Sequence, residues 1–102
     1  MKYAKIPQLS SKEQVILDLL IGQPTGMYGL ALVGASCGRL KRGTVYVTLA
    51  RMEDKGLVTS VREDAPVDAG GLPRRLYMPT ALGRRMLKAH AQLARLLPEF
   101  VQ

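Results

Sequence analysis

The 102-residue chain has no tryptophan, one phenylalanine, one histidine and one cysteine. Each shortage removes a class of reading. A lone Cys37 forms no disulfide within the chain, so a reducing, cytoplasmic setting is expected. One His and one Cys are too few for a thiolate and imidazole metal site. No nucleophile, base and orienting acid can be grouped, so neither an enzyme nor a cofactor is expected. No apolar run approaches a membrane span, and the opening MKYAKIPQLSSKEQ has no signal-peptide apolar core. With aromatics scarce, the core must come from Leu, Val, Met and Ala; a 47% hydrophobic content supports one modest core in one domain.

Acid is missing in a patterned way. Residues 19–52 and 69–98 contain no Asp or Glu, yet they hold ten of the fifteen Lys and Arg residues. At a formal net charge of +7, this segregation makes a one-signed surface and points to a polyanionic partner.

The elements follow from periodicity and punctuation. Ser10 and Glu13 form a capping box for a helix carrying Val15, Ile16, Leu19 and Leu20, ended by Gly22 and Pro24. YGLALVGASCG is a short second helix with Leu30 and Val33 facing in, Cys37 as a small buried hydrophobe and Gly38 as its stop. RGTVYVTLARMEDKGLV is a third helix over 43–55, with Val45, Leu49 and Met52 on the inner stripe and Gly56 as its stop. LVTSVRE and RRLYMP alternate as strands; DAPVDAGGLP between them has turn chemistry, so 58–79 is a hairpin with a glycine-rich tip. Thr80 caps a last helix that runs to Leu97, before Pro98.

That last helix has one apolar stripe (Leu82, Met86, Ala89, Leu93, Leu96, Leu97) and a second, weaker line (Leu87, Ala91, Ala94). His90 lies at the stripe's edge as a satisfied core or interface histidine. The doubled lines, with Leu17 facing away from the first helix's core stripe, predict a two-fold interface of Leu17, Leu87, Ala91, Leu93, Ala94 and Leu97.

The order α-α-α-β-β-α gives a mainly α chain with a small β-hairpin, the winged helix-turn-helix arrangement. Residues 1–80 form its DNA-binding domain; 81–102 form a C-terminal dimerisation helix and tail. In this arrangement the third helix enters the major groove and the hairpin, or wing, touches the neighbouring backbone. The third helix suits that role, because its outer stripe of Thr44, Val47, Thr48 and Arg51 is small, hydroxylated and basic, with no carboxylate before Glu53. Lys41 and Arg42 flank its positive end, and Gly43 leaves room for a sugar–phosphate backbone. Tyr46 flanks the inner stripe, placed to pack or to touch phosphate. Arg74 and Arg75 open the outgoing wing strand on opposite faces. Arg74 is expected on phosphate, with Arg75 covering the sheet or pairing with an acid such as Glu63. GRLKRGT imitates a phosphate-binding loop, but it lacks the lysine after the second glycine and has no strand before it.

MYGLALV, GTVYVTLARMEDKGLV and GGLPRRLYMPTALGRRML together closely resemble the PadR family of transcriptional regulators, over roughly residues 12–90. The family pattern has a Tyr-Gly pair opening helix two (here Tyr28–Gly29), Gly-Thr-Leu-Tyr opening helix three (Gly43–Tyr46) and Leu-Glu-x-x-Gly-Leu closing it (Met52–Leu57). A glycine-rich wing then leads into Arg-Lys-Tyr-Tyr (Gly70–Tyr77). Arg42 and Val47 stand where many members have proline. The resemblance implies a homodimeric, winged-helix repressor of a palindromic double-stranded operator, often released by a small-molecule effector, and it places Tyr28 among the DNA-binding residues. Small members that hold flat ligands between facing aromatics use tryptophan, which is absent here. The competing reading is a winged helix that binds an acidic protein partner.

Overall fold

The computed structural model describes residues 9–64 and 74–97. The wing tip with Gly70–Gly71, the closing Pro98 and both chain ends lie outside the described residues. α1 (Ser11–Gly22) starts with the capping box: Glu13 N–H donates to the Ser10 hydroxyl at 3.1 Å, and Ser10 N–H donates to Glu13 Oε1 at 2.9 Å. The second Glu13 oxygen takes Lys55 Nζ at 2.8 Å, which ties this helix start to the end of the third helix. Burial raises the Glu13 carboxyl, but the bonds from Lys55 and Ser10 and the Lys55 charge outweigh it and hold the group below its ordinary value.

Leu17 does not face outward. It is 0% exposed, packed with Ile16 and Leu20 in the core, and so is not free to line an interface. The reason is that α1 has neighbours on several sides, including the last helix, so its apolar stripe is wider than a single-sided projection allows.

Met27–Tyr28 form a two-residue strand, β1, ahead of α2 (Gly29–Ala35). In α2 it is Leu32 that enters the core, while Leu30 is 49% exposed and Val33 half-buried. Two successive left-handed residues, Cys37 (φ 54°) and Gly38 (φ 85°), turn the chain after α2. Cys37 is exposed rather than buried, because that turn directs it outward. Ser36 fastens the turn: its hydroxyl donates to the Val33 carbonyl at 2.8 Å and accepts from Leu40 N–H at 2.9 Å.

α3 (Arg42–Asp54) buries Val45, Leu49 and Met52 as its stripe predicts. Gly56, at φ 78°, ends it. Its N–H reaches the Glu53 carbonyl and Leu57 N–H reaches that of Met52, the paired bonds of a Schellman stop. β2 (Val58–Glu63) and β3 (Arg74–Pro79) pair antiparallel, and β1 joins the far side of β3, giving a three-stranded sheet in the order β1-β3-β2 rather than a bare hairpin.

α4 (Ala81–Leu96) is capped by Thr80, whose hydroxyl accepts from Gly83 N–H at 2.9 Å and donates to the Gly56 carbonyl at 2.6 Å. Gly83 lies flat against the Leu57 carbonyl, where a Cβ would collide. One core joins all four helices and the sheet. Each fully buried Leu, Ile or Met in it contributes about 1.5–3 kcal/mol.

Candidate nucleic-acid interface

With Val45, Leu49 and Met52 fixed inside, the helical period places Thr44, Val47 and Arg51 on the exposed face of α3 and Thr48 beside them, half-buried. Val47 is 54% exposed, an apolar side chain offered to solvent on an otherwise polar face. The Thr48 hydroxyl donates to the Thr44 carbonyl at 3.2 Å, so toward a partner it presents lone pairs.

The start of α3 is open. Lys41 is its N-cap residue but makes no side-chain cap, and no acid stands in the first turn. The Thr44 and Val45 N–H groups bond back to the Lys41 carbonyl, leaving those of Arg42 and Gly43 without a capping side chain. Gly43 has no atom within 4 Å of where a Cβ would stand, and its φ is not left-handed. Nothing among the described residues requires a glycine there.

Gly29 is different. A Cβ on it would stand 2.5 Å from Cε1 of Tyr46, whose ring rests on the start of α2. Tyr46 is thus a packing residue with an exposed edge, and its contact explains the Tyr-Gly pair.

Between α3 and the wing lies an open notch of about 530 Å³, lined by Tyr28, Gly29, Tyr46, Arg62, Arg74, Arg75 and Tyr77. Three arginines border it, Arg62 and Arg75 from one face of the sheet and Arg74 from the other. Arg62 was missed by the sequence reading, although alternation along β2 puts it on the face of Val58 and Ser60, directly across from Arg75. Arg75 Nη1 donates to the Ser60 hydroxyl at 3.2 Å, which donates to Glu53 Oε2 at 2.8 Å. Arg75 is therefore drawn toward the end of α3, on the face of buried Tyr77. Burial, followed by the Glu53 charge, pushes the Tyr77 hydroxyl up.

Glu63 is not the partner of Arg75. It lies across from Arg74 and accepts the Tyr28 hydroxyl at 2.5 Å, while the Arg74 guanidinium carbon sits 4.2 Å from the centre of the Tyr28 ring. That hydrogen bond raises the Tyr28 phenol above its ordinary value, with burial adding to it.

A second site, between α1 and α4, is a groove of about 540 Å³. Gln14, Asp18, Ile21, Arg84, Leu87 and Lys88 line it, together with His90, Ala91 and Ala94. His90 is 4% exposed and neither ring nitrogen has a hydrogen-bond partner among the described residues, so it is not satisfied within the described core. Leu87, Leu93 and Ala94 are half-buried and Ala91 exposed, while Leu96 and Leu97 at the end of α4 are exposed. No described helix is long and apolar enough to cross a membrane, and no group of three metal-ligating side chains occurs among the described residues.

A family model described as the transcriptional regulator PadR-like family matches residues 16–89. No curated protein matches the chain. Among solved structures, a Thermoplasma acidophilum protein shares the fold at TM-score 0.71 and 24% identity, over 87% of this chain and 84% of that one. A PadR family transcription regulator from Clostridium difficile R20291 aligns at TM-score 0.69 and 26% identity, over 89% of this chain and 94% of that one. The PcaV transcriptional regulator from Streptomyces coelicolor, solved with its natural ligand, aligns at TM-score 0.69 and 26% identity. That match covers 90% of this chain and 60% of that one.

Proposed function

Because the chain belongs to the PadR-like family, it is a DNA-binding transcriptional regulator, and we propose that it acts as a cytoplasmic, non-enzymatic homodimeric repressor of a palindromic operator. The observation that carries this reading is the open start of α3: uncapped N–H groups, Lys41 and Arg42 alongside, and a Gly43 that no internal contact explains. A phosphate at that point meets free donors and the positive end of the helix dipole. Lys41, Arg42 and the arginines of the wing supply sequence-independent affinity. Thr44, Val47, Thr48 and Arg51 read base edges, with Val47 suited to a thymine methyl.

Dimerisation belongs to α4. Leu87, Ala91 and Ala94 line the groove beside α1, and His90 lies there with no partner for either nitrogen among the described residues. A second copy seated along Leu93 and Leu97 would cover the apolar line and offer His90 a polar partner. Leu17 is left out of this interface because it belongs to the protomer's own core. A small-molecule effector is part of the reading, and the PcaV regulator, solved in complex with its natural ligand, supports it.

The test is DNA affinity measured over a range of salt concentrations, together with sedimentation. DNA binding predicts a steep linear fall of log K with log salt. Absence of measurable DNA binding would instead favour the acidic protein partner, and a monomer at micromolar concentration would remove the dimer.

A further inference from the structure

Glu63 and Arg74 stand directly opposite each other across β2 and β3, the placement in which a cross-strand ion pair is expected. They do not pair; the ion pair among the described residues is Lys55–Glu13. The Tyr28 side chain, from β1 on the far side of β3, engages both. Its hydroxyl donates to Glu63 Oε1 at 2.5 Å, and its ring face carries the Arg74 guanidinium at 4.2 Å. The Arg74 guanidinium donates no hydrogen bond to any described residue, so among those residues its N–H fork has no partner where Arg74 borders the notch between α3 and the wing.

We propose that Tyr28 is a positioning residue for the wing: by occupying Glu63 it keeps Arg74 from pairing with that carboxylate, and its ring holds the guanidinium ready for a phosphate. The inference rests on the reading that the wing contacts DNA. Two features make the arrangement effective. A short bond from a hydroxyl to a carboxylate is strong for its kind, whereas an ion pair between partly exposed groups is weak, so the phenol prevails. Tyr28 also sits in β1 as the N-cap residue of α2, so the clasp joins both wing strands to the helix-turn-helix body. Tyr28 thereby acts through Arg74 and not by its own hydroxyl, whose proton is already committed.

Removing the hydroxyl while keeping the ring separates these roles. Tyr28→Phe should free Glu63 to pair with Arg74, and one phosphate contact should be lost. On a random-sequence DNA duplex, the slope of log K against log salt should become shallower by about 0.9. Adding Glu63→Gln to Tyr28→Phe should restore the wild-type slope, because the competing charge is gone. In an Arg74→Ala background, Tyr28→Phe should have no further effect on the slope. Glu63→Gln alone should leave the slope equal or steeper, which keeps the test sharp should Tyr28→Phe lower the melting temperature.

An unchanged slope in Tyr28→Phe would overturn the proposal. So would a shallower slope that Glu63→Gln fails to restore, since that result assigns the phosphate contact to the Tyr28 hydroxyl or the effect to general loosening. A wild-type protein with no salt-dependent DNA binding would instead overturn the DNA reading itself.

Discussion

The starts of α3 and α4 both carry a glycine in the first turn, and they are finished in opposite ways. At α4 the Thr80 hydroxyl takes Gly83 N–H and reaches across to the Gly56 carbonyl, while Gly83 is pressed against the Leu57 carbonyl. Every feature of that start has a partner inside the chain. At α3 the cap position is a lysine, the first turn has no acid, and Gly43 faces open space. A glycine that packing demands serves the fold. A glycine that costs helix stability with no internal contact points to something outside, and the proposed function makes that a DNA backbone.

The largest effect that would sharpen this contrast is at Gly83. Gly83→Ala drives a Cβ into a backbone carbonyl that cannot swing aside, and should cost about 3 kcal/mol of stability. Thermal or denaturant unfolding checks it. A loss below about 0.5 kcal/mol would mean that the α4 start is not closed by packing.

Within α3, the open start and the far end should differ in kind. Arg51→Ala should cost on the order of 1–3 kcal/mol on the preferred operator and less on random DNA. Arg42→Ala, at the open start, should weaken both about equally and reduce the salt slope by about one. Equal proportional losses from Arg51→Ala on both DNAs would remove it from base readout.

Converting one kind of start into the other is a smaller change. Lys41→Ser gives α3 the cap it lacks and should stabilise the protein by about 0.5–1 kcal/mol. It should weaken DNA binding as well, because a phosphate contact is removed and the free donors become engaged. Thr80→Ala should destabilise by about 1 kcal/mol, with DNA affinity per folded molecule retained.

These contrasts also mark what could be seen in the sequence. Helix starts and stops were legible because they are local: Ser10 with Glu13, Thr80 with Gly83, and Gly56 after Met52 and Glu53 each act within a few residues. The stripe of α3 was legible because its buried residues recur over about two turns. What escaped depends on distant partners. β1 has two residues, too few for any alternation, and exists because Met27 meets Tyr77. α2 spans seven residues, too few for periodicity to fix its phase, and Leu32, not Leu30, enters the core. Leu17 is buried because α4 packs where α1 was expected to be free. Tyr28 and Glu63 are 35 positions apart, and neither carries a motif that would pair them.

The smallest expected effect concerns α1, a third start that is closed, here by a capping box with Lys55 behind it. Its depressed Glu13 carboxyl stabilises the fold fully above the ordinary glutamate range. That contribution is lost as pH falls through the lowered folded value. Unfolding measured from neutral to acid pH should therefore show a shallower decline in Glu13→Gln than in wild type. Lys55→Ala should cost no more than about 1 kcal/mol at neutral pH, since Lys55 is half exposed. A Glu13→Gln protein with an unaltered acid limb would show that the α1 start draws nothing from its charge.

The most direct test of the central claim is Gly43→Ala, with unfolding stability and operator affinity measured on the same preparation. A glycine kept for an outside partner predicts opposite signs: stability rises, by up to about 1 kcal/mol from helix propensity, while DNA affinity falls. Affinity that holds or rises with stability would contradict the assignment of the α3 start to the DNA backbone.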